Sequence, residues 1–315
     1  MPRNTIDKTL IKELARRASG IDVEGGDARL KEVLNRLLHD LFLAIDELDI
    51  SMNEVWGAVA YIGKVAQGGE MGLVVPGIGL EHFLDLRLDE AERLAGLSGG
   101  TTRTIEGPLY IAGAPLSDGK ARLDDGSDNG EVLIMEGQVR DTKGNPVGGA
   151  IVDVWHANSK GGYSHFDPEQ QPYNLRRRIR TDAEGRYQFR SIVPSGYATP
   201  PGSATEFLMH AVGRHGNRPA HVHFFVEADG YRQLTTQINI EGDPYLFDDF
   251  AFGTRDDLIP AVTRVTDPAV LAEHQLQDSF AHIEFDFVLT PEAQGVAGTV
   301  VDRERVVADT SKAAE

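Results

Sequence analysis

Near residue 101 the chain changes texture, and that change limits the folds open to it. Ahead of it apolar residues recur at helical spacing; behind it proline and glycine become frequent and short alternating runs take over. Leu30, Leu34, Leu37, Leu38, Leu41, Ile45 and Leu48 predict one long helix, and residues 6–18 predict a shorter one before it. Ser51 to Glu54 has capping-box spacing ahead of a helix over 55–65, and Asp89 to Glu92 predicts a second helix start. Gly68-Gly69 and Pro76-Gly77-Ile78-Gly79 mark breaks. Beyond 101, residues 131–139, 150–155, 186–192, 221–227, 234–240 and 282–289 predict strands, parted by turn residues such as Lys143-Gly144-Asn145-Pro146 and Asp229-Gly230. The expectation is an α+β chain with three regions. A helical region, 1–100, precedes an all-β sandwich body, 101–290, and a C-terminal extension, 291–315, whose charged, alanine-rich end packs poorly.

A formal net charge of −18 argues against nucleic acid or an anionic membrane as the main partner. The chain has no cysteine, which excludes disulfides, thiolate catalysis, zinc–thiolate sites and iron–sulfur clusters. The first residues lack an apolar signal core and no later run is long enough to span a bilayer, so a cytoplasmic protein is expected.

Within Arg218-Pro219-Ala220-His221-Val222-His223-Phe224-Phe225, two histidines two apart share one face of a predicted strand and aim both imidazoles at one point. Alone, such a pair is often two ordinary core histidines. Two tyrosines stand in strand-end loops, where sites are usually built: Tyr163 after Lys160-Gly161-Gly162, and Tyr197 in Val193-Pro194-Ser195-Gly196-Tyr197. A lone loop tyrosine usually packs with its hydroxyl hydrogen-bonded. Of the other histidines, His156 follows Trp155 and points to the opposite strand face, Trp155 itself being assigned to the core. His165, His210 and His215 are not expected to be ligands either, although His215 lies in a Gly-rich loop near the pair.

Arg103-Thr104-Ile105-Glu106-Gly107-Pro108-Leu109-Tyr110, the Trp155-His156-Ala157-Asn158 loop, Tyr163 to Pro168, Gly213 to His221 and Leu234-Thr235-Thr236-Gln237 follow one another through nearly the whole chain. In order and spacing they resemble the intradiol ring-cleavage dioxygenases, most closely the catechol 1,2-dioxygenases. The resemblance implies that Tyr163, Tyr197, His221 and His223 hold one non-haem Fe(III) per chain. Ferric iron is a hard cation suited to phenolate oxygen, and it removes a tyrosine proton that otherwise leaves near pH ~10. It also implies cleavage of catechol by O₂ to cis,cis-muconate. Tyr197 would leave the metal as the diol binds and take one of its protons, and Tyr163 would stay. Arg218 would stabilise negative charge developing on the substrate, and Gln237 would lie near the oxygen site. The plainer readings are an ion pair for Arg218 and a solvent-facing strand amide for Gln237.

Leu73, Pro76, Ile105, Pro108, Leu109, Phe250 and Ala251 fall at the family's substrate-pocket positions. None is cationic, which disfavours a ring carboxylate such as that of protocatechuate. Gly162 stands where an aromatic often precedes the tyrosine, and Ala198 where glycine is common; the first predicts a looser loop and the second a more restricted one. Resemblance further implies a homodimer through the front helices with phospholipid between them. The alternatives are the same chemistry on hydroxyquinol or substituted and chlorinated catechols, a ferrous site of two histidines and a carboxylate, and a non-catalytic transthyretin-like binding module.

Overall fold

The computed structural model describes residues 6–303 and 305. Residues 304 and 306–315, most of the end expected to pack poorly, lie outside the described residues, as do the first five. The chain divides into two compact units between Gly68 and Gly69.

The first unit holds α1 (Lys8–Ser19), α2 (Ala28–Glu47) and α3 (Met52–Gln67). Each begins at a side chain that satisfies a free backbone N–H: Asp7 accepts from Thr9, Asp27 from Leu30, and Ser51 from Glu54, whose carboxylate returns to the Ser51 N–H. Ile11 and Ala15 of α1 are buried, yet Leu30, Leu37 and Leu41 of α2 remain 62%, 61% and 53% exposed. The leucine stripe therefore exceeds what its own unit covers. No helix among the described residues is long and apolar enough to cross a membrane.

The second unit opens with α4 (Met71–Gly77) and α5 (Leu80–Leu94). The texture boundary near 100 and the division at Gly68 differ because α4 and α5 pack on the β body: a Cβ on Gly72 would come within 2.7 Å of Pro108, and one on Gly77 within 3.1 Å of Phe250. Asp89 corrects the expected helix start, for it lies inside α5, which begins after Gly79 at φ 78°. Its carboxylate takes Arg103 Nε at 2.6 Å, and Glu92 takes Arg232 Nε at 2.6 Å, so the spacing serves ion pairs rather than a cap.

The strands are β1 (Leu116–Asp118), β2 (Lys120–Arg122), β3 (Val132–Asp141), β4 (Ile151–His156), β5 (Arg176–Arg180), β6 (Arg186–Ile192), β7 (Tyr197–Ala198), β8 (Asn217–Arg218), β9 (His221–Glu227), β10 (Leu234–Asn239), β11 (Thr263–Val265), β12 (Phe280–Glu284) and β13 (Phe287–Leu289), with α6 (Ala204–Ala211) and α7 (Pro268–Glu273) between them. One sheet runs β1-β5-β4-β9-β10 and the other β11-β12-β3-β6-β2, with β13 also on β3. The predicted 282–289 strand is two, because the Phe285 carbonyl turns in against Gly137, where a Cβ would sit 1.8 Å away. Val152 and Val154 of β4 and Val222, Phe224 and Val226 of β9 join Leu133, Met135, Phe189 and Ile283 in the core between the sheets. That leaves the alternate residues of β4 and β9 on the outer face of the five-stranded sheet.

Candidate metal centre

On that outer face β9 presents His221, His223 and Phe225. Across the ladder Trp155 of β4 and Gln237 of β10 stand opposite His223, and Asn239 stands opposite His221. His221 is held by its Nδ1, 2.6 Å from the Pro219 carbonyl. Only a protonated Nδ1 can donate there, so Nε2 is the unprotonated nitrogen, carrying the lone pair. His221 Nε2 and His223 Nε2 are 3.0 Å apart. Burial, then the guanidinium of Arg218, pushes the His221 pKa down to about 3, and burial and neighbouring His221 lower His223 as well. Both imidazoles are thus neutral, the state that binds a metal.

Tyr163 and Tyr197 reach the same place from two loops. Asn158 Oδ1 accepts the N–H groups of Lys160 and Gly162 at 2.9 and 2.8 Å, closing the first loop. Gly161, at φ 86°, lets this loop press against Tyr197: a Cβ there would be 3.0 Å from the Tyr197 Cβ. At Gly162 an added Cβ would meet Asp167 Oδ2 at 2.6 Å, so the bare glycine lets Asp167 close against the loop. Tyr197 is fixed on a two-stranded ribbon, directly opposite Arg218. The tyrosine rings meet edge to face at 5.5 Å, and the Tyr197 ring lies 5.6 Å from that of His221. Tyr163 is 3% exposed, and its buried hydroxyl has no hydrogen-bond partner among the described residues. Burial, then the Tyr197 phenol, pushes its pKa well up. Arg176 stands 5.8 Å over the Tyr163 ring.

Arg218 and Gln237 are buried. Arg218 Nη1 is 3.0 Å from His221 Nε2, Nη2 donates to Gln237 Oε1 at 2.8 Å, and Asp249 pairs with the other edge. The plain reading of Arg218 as an ion pair is met by Asp249, and the same side chain also reaches His221 and Gln237. Gln237 is no solvent-facing amide.

Of the pocket positions, Ile105, Phe250 and Ala251 fall in one buried cluster, and Leu109, like Tyr197, packs against a second cluster that holds Trp155 and Tyr163. Pro76 is buried on α4 and Leu73 half-buried beside Gly72, which abuts Pro108. A Cβ on Gly107 would lie 3.8 Å from His223 Cε1, so this wall reaches the histidines. The described end of the chain braces it: Arg303 Nη2 donates to the Gly107 carbonyl at 3.0 Å, and Arg305 Nε and Nη2 donate to Glu106 at 2.8 and 3.0 Å. That bracing corrects the expectation of a poorly packed end as far as residue 305.

Trp155 belongs to this face and not to the inter-sheet core, stacking flat on His223. His156 points the other way, bonded to the Ala157 carbonyl and Ser191 Oγ, both at 2.7 Å. His165 takes the Tyr173 N–H, His210 is exposed on α6, and His215 lies 3.0 Å from Asp248. Sequence reasoning missed Asp249 and Arg176; nothing in Asp248-Asp249 marks which carboxylate turns inward, and Arg176 opens a strand of four arginines that shows no apolar alternation.

The donor set fits a trivalent metal. Two ligands about 2.1 Å from one metal and at right angles are ~3 Å apart, as the two Nε2 atoms are. A buried phenol with no partner is the group a metal would satisfy. Among the described residues no three His, Cys, Asp or Glu side chains group as a metal site.

Comparison with known proteins places the chain in a family. The Dioxygenase family model matches residues 105–291, and the Catechol dioxygenase N terminus model matches residues 27–96. Catechol 1,2-dioxygenase 2 of Acinetobacter lwoffii is 56% identical over 82% of this chain and 94% of its own, and catechol 1,2-dioxygenase of Acinetobacter baylyi is 49% identical over 94% and 96%. The crystal structure of wild-type catechol 1,2-dioxygenase from Acinetobacter radioresistens superposes with a TM-score of 0.92 at 51% identity, covering 96% of this chain and 99% of that one.

Proposed function

The chain belongs to the intradiol ring-cleavage dioxygenases, close to the catechol 1,2-dioxygenases, and from that premise we propose that it cleaves catechol between its two hydroxyl-bearing carbons with O₂, giving cis,cis-muconate. Both atoms of O₂ enter the product, so C₆H₆O₂ and O₂ account for muconic acid without a further reductant. The observation that carries the reading is the convergence of His221, His223 and the partnerless Tyr163 hydroxyl, with Tyr197 beside them. These four residues would hold one non-haem Fe(III). Bound there, ferric iron would supply a Lewis acid for the two diol oxygens, drawing electron density from the ring and so making a ring carbon reactive to O₂.

Each remaining residue has a task in this reading. Tyr197, the half-buried one of the two tyrosines, would accept one diol proton at its phenolate oxygen and become the neutral phenol. Arg218 directs Nη1 to the reacting edge of the diol and stabilises negative charge there. Gln237 keeps Arg218 Nη2 in place. The apolar wall of Ile105, Leu109, Phe250 and Ala251, with Leu73, Pro76 and Pro108, excludes water and suits an uncharged ring.

The exposed leucines of α2 support a homodimer through the first unit, where a cavity of about 510 Å³ lined by Leu10, Leu14, Phe42, Ile45 and Ile50, and also by Asp46 and Asp49, would take a phospholipid chain. A monomer in sedimentation at micromolar concentration would overturn the dimer.

The deciding measurement is a visible spectrum with and without anaerobic catechol. A broad tyrosinate-to-iron band that moves to longer wavelength with catechol is expected. Colourless protein with stoichiometric iron would remove the ligand set. Oxygen uptake on catechol, hydroxyquinol and chlorocatechols then ranks the substrates.

A further inference from the structure

Asp249 binds Arg218 along one edge only. Its carboxylate accepts from Nε at 3.2 Å and from Nη2 at 3.0 Å, while Nη1, at the far end of the fork, is left facing His221 Nε2 at 3.0 Å. Nη2 is shared with Gln237 Oε1, and Gln237 Nε2 donates onward to Asn239 Oδ1 at 3.2 Å. A guanidinium is planar and rigid, so fixing two of its nitrogens fixes the direction of the third. The same carboxylate accepts the N–H groups of Ala251 and Gly253, both at 3.0 Å, and so closes the turn that carries Phe250 and Ala251 into the pocket wall. Gly253 leaves space for this arrangement: a Cβ there would lie 2.4 Å from Arg218 Nη2 and 2.8 Å from Asp249 Oδ2.

We propose that Asp249 is a positioning residue for the ring-cleavage reaction, one that aims Arg218 Nη1 at the substrate and locks the Phe250–Ala251 wall to the same anchor. Without the carboxylate a buried guanidinium beside the metal has no counter-charge and turns toward whichever acceptor it finds. Asp249 touches none of the four metal ligands and acts through Arg218. The inference rests on the ferric intradiol reading above and has a different signature from it. If that reading is wrong, wild-type protein lacks the tyrosinate band and the turnover; if only the role of Asp249 is wrong, both are present and the variants below behave otherwise.

Asp249→Asn is expected to keep the iron content and resting visible band of wild type while kcat for catechol falls about 10- to 100-fold, a typical loss for a partner that orients a residue at a metal site. KM should change much less. In an Arg218→Lys background the same substitution should cost little more, because both changes remove one device. Multiplicative losses in the double variant, or wild-type kcat in Asp249→Asn, would overturn the proposal. Should Asp249→Asn fail to fold, Gly253→Ala displaces the guanidinium with both charges retained. It should lower kcat with the band intact, and an unchanged kcat there would equally overturn the proposal.

Discussion

Trp155 lies flat against His223, with ring centroids 4.9 Å apart and planes 6° from parallel. The indole thus fixes the plane in which the imidazole presents Nε2. Removing it with Trp155→Ala should cost about 3–5 kcal/mol of stability through the cavity left behind, and iron per chain should fall with it. Trp155→Phe should restore part of both. Full iron occupancy in a folded Trp155→Ala protein, measured by elemental analysis and denaturant titration, would show that the stack is not what orients His223.

Tyr163 offers a test in which stability and function move in opposite directions. Its buried hydroxyl lacks a partner among the described residues, and an unsatisfied buried group costs about 1–3 kcal/mol. Iron-free Tyr163→Phe should therefore be at least as stable toward urea as iron-free wild type, whereas with iron the order reverses and the visible band loses intensity. Destabilisation of the iron-free variant would mark the hydroxyl as structural.

Asp153 gives a pH dependence. Burial, in the first place, pushes its pKa up to about 7, and Tyr110 donates to it at 2.8 Å. In the unfolded chain the carboxyl titrates near ~3.9, so the folded state binds the extra proton between these values. Its contribution to stability is complete below the unfolded pKa and is lost as pH rises through about 7. Asp153→Asn keeps an acceptor for Tyr110 without the charge. Its urea midpoint should gain on wild type between pH 5 and pH 8; a pH-independent gap would contradict the raised pKa.

The end of the chain should matter to substrate binding more than to folding. Arg303 and Arg305 hold Gly107 and Glu106 from partly exposed positions, where such pairs add little stability. Replacing both with alanine should lower the melting temperature by about 2–4 °C at most and raise KM for catechol several-fold with kcat nearly kept. An unchanged KM would confine the two arginines to the surface.

The sequence announces what repeats or alternates. The long helix α2, the capping box at Ser51 and the β9 strand with its two histidines are legible because each rests on spacing within a few residues. Asp89–Glu92 misleads for the same reason: spacing alone does not distinguish a cap from two carboxylates reaching Arg103 and Arg232. Strand β5 escapes because its arginines take their partners from Ser164, Asp118 and the Arg122 carbonyl rather than from an apolar face. The four proposed ligands were named by resemblance, whereas Asp249, which reaches Arg218 from 31 residues away, leaves no local pattern.

Strand β9 carries the inter-sheet core on Val222, Phe224 and Val226 and the proposed metal-binding pair on His221 and His223. A slip of one residue against β4 or β10 would exchange the two sets, burying imidazoles among valines and turning Phe224 toward the proposed metal site. The reactive centre therefore has no independent existence: it is the reverse side of the hydrophobic seam. If iron sits on these residues as proposed, its colour would read out strand alignment, and bleaching by denaturant should coincide with the melting of the whole sandwich rather than precede it.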